Sequence, residues 1–129
     1  MGTKVLVIDD DKNLRALYQQ ELTDDGYEVE CADSGQAGLA QIAKVRPDIV
    51  VLDISMPGMD GIETMNRILA ENKSLPVILN TAYSNYKDNF MTWSADAYVV
   101  KSPDLTELRA KIKELLAAKA KAAAPAKNA

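Results

Sequence analysis

The chain has 129 residues, a formal net charge of −4 and no histidine. That length suits one domain with its own core, and no apolar run approaches the roughly 20 residues needed to span a bilayer, so no membrane partner is expected. Residues 1–104 hold 9 Lys and Arg against 17 Asp and Glu, whereas residues 105–129 hold 6 against 2; an acidic body lacks the basic face that phosphate backbones require, so no nucleic-acid partner is expected either.

In chain order, Lys4-Val5-Leu6-Val7-Ile8 is a continuous apolar strand that ends in Asp9-Asp10-Asp11. Helical spacing follows from Asn13 to about Asp24 through Leu14, Leu17, Tyr18 and Leu22, with Asp11 as cap and Gly26 beyond the stop. Glu28 to Ala32 alternates, as a strand near a sheet edge does. The one cysteine, Cys31, lies there and reads as a plain strand residue in a reducing compartment rather than a redox sensor. With no signal-peptide layout at the N-terminus, a soluble, cytoplasmic protein is expected. Asp33-Ser34 caps a small-residue helix that ends at Pro47.

Asp48-Ile49-Val50-Val51-Leu52-Asp53 reads as a strand buried on both faces and ending in a carboxylate. The Pro57-Gly58 and Asp60-Gly61 pairs then break regular structure. A third helix through Ile62, Met65, Ile68 and Leu69 stops near Asn72, and Pro76 to Asn80 forms a fourth strand with Thr81 directly after it. Between Tyr83 and Ser94 the helical pattern is poor, and a short or mobile helix is expected. Ala97 to Val100 is a fifth strand, ending in Lys101. Ser102, Pro103 and Asp104 suit the N-cap, first position and first turn of a last helix through Leu105, Leu108, Ile112, Leu115 and Leu116. From Ala117 the chain has no apolar face and reads as a frayed helix end and a disordered tail or linker.

Five alternations of strand and helix predict an α/β doubly wound parallel sheet with helices on both faces. In such sheets ligands sit beyond the carboxyl ends of the strands, which gathers Asp9, Asp10, Asp53, Thr81 and Lys101 on one rim. Converging carboxylates need a cation to stay ionised together. Magnesium suits an all-oxygen set, while the absence of histidine and the single cysteine leave zinc or copper almost nothing to bind. A lysine and a hydroxyl beside such a site suit phosphate, and a carboxylate can serve as nucleophile to give an aspartyl phosphate. The Asp9-Asp10 pair suits the metal, and the solitary Asp53 suits attack.

Val7-Ile8-Asp9-Asp10-Asp11, Val51 to Gly61, Thr81-Ala82 and Tyr98-Val99-Val100-Lys101 together resemble the receiver domain of bacterial two-component response regulators, over about residues 3–118. The resemblance implies a flavodoxin-like (βα)5 sheet of order 2-1-3-4-5. It also implies Asp53 as phosphoacceptor, Asp10 as direct Mg²⁺ ligand, Asp9 as a ligand through water, and the Ser55 carbonyl as a further ligand. Thr81 and Lys101 are implied as phosphate contacts, and Thr81 with Tyr98 as the switch. Residues 119–129 are then a Lys/Ala-rich tail. Implied partners are a sensor histidine kinase or phosphotransfer protein, a downstream effector or output domain, and a second copy through the face from the fourth strand to the last helix. Such a protein catalyses its own phosphorylation and slow dephosphorylation and is not a conventional metabolic enzyme.

The family usually has proline directly after the lysine, whereas Ser102 intervenes here. A cis bond before a non-proline residue costs roughly 2.5–4 kcal/mol, so Lys101-Ser102 is expected trans. Two other functions fit the same residues. One is a phosphorylation-independent interaction module. The other is a Mg²⁺-dependent phosphohydrolase with an aspartate nucleophile on the first strand, for which Asp11 would have to be the second acid.

Overall fold

The structure is a computed structural model and describes residues 2–54, 56, 58–82 and 95–123. Strand β1 (Lys4–Ile8) leads to α1 (Lys12–Asp24), β2 (Glu28–Ala32), α2 (Gly35–Val45), β3 (Ile49–Leu52), α3 (Gly61–Glu71) and β4 (Val77–Thr81). Beyond the stretch 83–94 come β5 (Ala97–Val100) and α4 (Thr106–Ala123). The strands form one sheet of order β2-β1-β3-β4-β5, and every pairing is parallel. The short helix expected between Tyr83 and Ser94 lies outside the described residues.

Two apolar layers explain why the central strands read as unbroken apolar runs. Leu6, Ile8, Val50, Leu52, Val77 and Leu79 pack on one face with Ile42 of α2 and Met65 and Ile68 of α3. Val5, Val7, Ile49, Val51, Ile78 and Val99 pack on the other with Tyr18 and Leu22 of α1 and Leu108 and Ile112 of α4. Successive side chains alternate between these layers, and both are dry. β2 is an edge strand, and its exposed Glu28 and Glu30 give the alternation seen in sequence. Gly38 lets α2 lie directly on β1, because a Cβ there would run into the Ile8 side chain.

The helix caps follow local chemistry. The Asp11 carboxylate accepts from Asn13 N and Leu14 N at 2.9 and 3.2 Å, Ser34 Oγ accepts from Ala37 N, and Asp60 accepts from Glu63 N. α2 stops at Val45, with Arg46 left-handed at φ 50° before Pro47. Thr81 lies within β4 and pairs with Val100, one residue further than the apolar run suggests.

The last helix differs from expectation at both ends. It starts at Thr106 and not after Ser102, because Asp104 is the acceptor that meets its first free N–H: Asp104 Oδ1 takes Thr106 N at 2.9 Å. Ser102 Oγ instead accepts from Asp104 N at 3.1 Å, closing a turn that lets Leu105 enter the core. At the other end α4 runs on to Ala123 rather than fraying after Leu116. Alanine and lysine are good helix formers, and Lys119 Nζ ties this extension to the Asp48 carbonyl at 3.1 Å. Of residues 119–129, 119–123 are therefore helical, and 124–129 lie outside the described residues. No peptide among the described residues is cis, so Lys101-Ser102 is trans as expected.

Candidate functional site

Three of the candidate residues are set at the end of a strand by a main-chain bond to a neighbouring strand. Asp53 N donates to Ile8 O at 2.9 Å, Asp9 N to Ala32 O at 3.1 Å, and Lys101 N to Thr81 O at 2.7 Å. The β1–β3 register ends with Ile8 beside Leu52, so Asp9 and Asp53 follow side by side. Asp9 and Asp53 are buried, at 1% and 4% exposure, whereas Asp10 is exposed. One oxygen from each of the three carboxylates lies within 4.8 Å of the other two.

Lys101 closes the group. Its Nζ lies 2.9 Å from Asp9 Oδ2 and 3.4 Å from Asp53 Oδ2. Burial pushes the ammonium down, but its hydrogen bonds and charge contacts with Asp9 and Asp53 outweigh that and hold it above the usual lysine value. The other Asp9 oxygen accepts from Asp11 N at 2.9 Å. Two of the three acids share one ammonium, so the cluster keeps an excess of negative charge, and the donor set is all oxygen. That chemistry fits a hard divalent cation such as Mg²⁺.

The loop after Asp53 is held close by Gly61. Its N–H donates to Ile54 O at 2.8 Å, and a Cβ there would strike the Asp53 carbonyl and sit 2.6 Å from Ile54 Cα. The sequence marks Gly61 as a turn residue; its role is close backbone approach at the start of α3. Ser55 lies outside the described residues.

Thr81 is fully buried at the end of β4. Tyr98 on β5 pairs with Leu79 of β4 and packs, half-buried, against the layer covered by α2 and α3. Alternation along β4 puts Thr81 on that same layer, two residues beyond Leu79. Asp9, Asp53 and Lys101 instead continue the opposite layer, beyond Val7, Val51 and Val99. The structure thus brings the three charged residues together in contact, ends β4 beside them where the Thr81 carbonyl accepts from Lys101 N, and packs Tyr98 against the α2 and α3 layer.

Arg15 was not legible as part of the site. Its Nη1 donates to the Asp9 carbonyl at 2.7 Å and so anchors the end of β1. A helical arginine four residues after a capping acid reads as surface charge, and only the fold brings it back to the strand end.

Comparison with known proteins agrees with this geometry. Residues 5–113 match the response regulator receiver domain. The chain belongs to that family. The receiver is 36% identical over 118 residues to response regulator MprA of Mycolicibacterium vanbaalenii, covering 90% of this chain and 51% of that protein. It is 35% identical over 116 residues to ArlR of Staphylococcus haemolyticus, covering 88% and 52%. The chain therefore spans about half the length of these curated relatives. Among solved structures, response regulator TrrA of Thermotoga maritima in complex with Mg²⁺-BeF matches with a TM-score of 0.85 and 42% identity, covering 88% of this chain and 98% of that one. A CheY-like receiver domain protein from Methanospirillum hungatei matches with a TM-score of 0.88 and 30% identity, covering 94% and 98%. The sheet order β2-β1-β3-β4-β5 is that of the resemblance read in sequence. A receiver domain of a two-component response regulator is a phosphoacceptor, and the Asp9, Asp10 and Asp53 cluster is consistent with its Mg²⁺ site. No described helix is long and apolar enough to cross a membrane.

Proposed function

We propose that the chain is a phosphorylation switch in which Asp53 accepts a phosphoryl group from the phosphohistidine of a partner kinase or phosphotransfer protein. The observation that carries this reading is the Lys101 ammonium, shared between Asp9 and Asp53 at 2.9 and 3.4 Å on a buried rim. Asp9, Asp10, Asp53 and the Ser55 carbonyl are the groups that would hold Mg²⁺. When bound, the ion supplies positive charge against the clustered carboxylates and the phosphoryl oxygens.

In the transfer step a carboxylate oxygen of Asp53 attacks phosphorus. The new O–P bond forms as the donor's N–P bond breaks, and the departing imidazole keeps the electron pair and is protonated. Lys101 and the Thr81 hydroxyl donate to the phosphoryl oxygens, holding the group in place and offsetting its charge. In the return step water attacks phosphorus, the bond to Asp53 breaks, and inorganic phosphate leaves with the carboxylate restored. Phosphorylation biases a two-state equilibrium at Thr81 and Tyr98, which changes the face offered to an effector, an output domain or a second copy.

The kinase partner draws support from TrrA, which is also known in complex with the histidine kinase ThkA; that structure matches with a TM-score of 0.84 and 42% identity. We place the protein in the cytoplasm, with residues 3–118 as the receiver unit and 119–129 as its tail. The phosphohydrolase reading is disfavoured because Asp11, its required second acid, is occupied in capping α1. The test is Mg²⁺-dependent labelling by acetyl phosphate, expected in the wild type and absent in Asp53→Ala. Full labelling of that variant would overturn the assignment, and unaltered partner binding by it would favour the phosphorylation-independent module.

A further inference from the structure

Asn80 ends the apolar run of β4. It is 1% exposed, as is Tyr18 on α1, and its Nδ2 donates to the Tyr18 hydroxyl at 2.9 Å. Its Oδ1 is buried with no hydrogen-bond partner among the described residues. Leucine would fill similar space with no unmet acceptor, so a half-satisfied buried amide points to a role beyond packing.

The register supplies that role. Asn80 follows Ile78 on the layer covered by α1 and α4, the same layer that Asp9, Asp53 and Lys101 continue. The last β3–β4 pair is Leu52 with Leu79, and one step further brings Asn80 beside Asp53. Burial pushes the Tyr18 phenol above its usual value, the Asn80 hydrogen bond opposes this, and the charges of Lys101, Asp9 and Asp53 are all felt there. The register therefore places the polar pair next to the strand end that carries Asp53, and Asn80 also immediately precedes Thr81.

We infer that Asn80, held by Tyr18, is a positioning residue for Asp53 that fixes the end of β4 against α1 and so sets the lateral placement of the phosphoryl-accepting carboxylate. The inference rests on Asp53 being the phosphoacceptor. Small displacements at a reacting group slow the chemistry steeply, so loss of the pair reduces the rate at saturating Mg²⁺ and acetyl phosphate by about tenfold.

The test compares Asn80→Leu, Tyr18→Phe and the double variant in the full chain, reading the labelling rate and the urea midpoint of each. Each single variant leaves a polar atom unmet, so it loses both stability and rate. The double variant is apolar on both sides of the gap; it regains stability and stays slow. If a single variant does not fold, the double variant carries the measurement. Wild-type rates in the folded variants, or a rate that recovers together with stability, would show a packing role and overturn the inference. Failure of the wild type to label at all would instead overturn the functional reading, and this inference with it.

Discussion

Replacing Lys101 with methionine keeps most of the side-chain stem and removes the one ammonium shared by Asp9 and Asp53. The lysine side chain is 16% exposed and the two carboxylates 2% and 4%, so water offers little compensation. With oxygens of Asp9, Asp10 and Asp53 all within 4.8 Å of one another, each pair of charges repels by about 3.5 kcal/mol at an effective dielectric of about 20. Removing one partner of a buried ion pair costs roughly 3–5 kcal/mol. A loss of about 3 kcal/mol is therefore expected in a chelator, read by urea unfolding. Added Mg²⁺ restores counter-charge at the same carboxylates, so it stabilises Lys101→Met more than the wild type and closes about half of the gap. A chelator-state loss below about 0.5 kcal/mol, the range of an exposed pair, would refute the shared-charge account. So would a gap that Mg²⁺ leaves unchanged.

Gly61→Ala drives a Cβ into the Asp53 carbonyl and to 2.6 Å from Ile54 Cα; neither is a flexible side-chain end, so a loss of about 1–3 kcal/mol is expected in urea unfolding, together with slower labelling of Asp53. Asp104 responds to pH. The Thr106 hydroxyl and then the Thr106 N–H hold its carboxyl below the usual range, so its contribution to stability is present above the unfolded-state value and is lost as pH falls through the lower folded value. Thermal midpoints measured from pH 5 to pH 2.5 should fall less steeply in Asp104→Asn than in the wild type; parallel curves would count against the capping role.

The central strands were legible in sequence because both their faces are dry, which removes the need for polar residues until the chain reaches the rim. Asp9, Asp53 and Lys101 stood out for the same reason: each is the first charge after such a run. The start of α4 was misread because cap preferences are local. Ser102 and Pro103 satisfy the local pattern, but burial of Leu105 and the reach of Asp104 to Thr106 decide the boundary. Arg15 and the Asn80–Tyr18 pair were missed because their partners are distant in sequence; one asparagine in an apolar strand carries no sign of a tyrosine 62 positions earlier.

The alternation of β4 bears on how a change at Asp53 spreads. Thr81 and Asn80 are consecutive, so they face opposite layers: Asn80 lies beside Asp53 on the α1 side, and Thr81 lies on the α2 and α3 side, which Tyr98 shares. The main chain of β4 joins the two sides, and it is bonded to β5 where Lys101 N donates to Thr81 O at 2.7 Å. A shift of the strand end that follows Asp53 on one side must move Thr81 on the other and pull on the residue after β5. On the proposed reading, the end of β4 is one element through which phosphorylation of Asp53 would reach the Tyr98 side of the sheet.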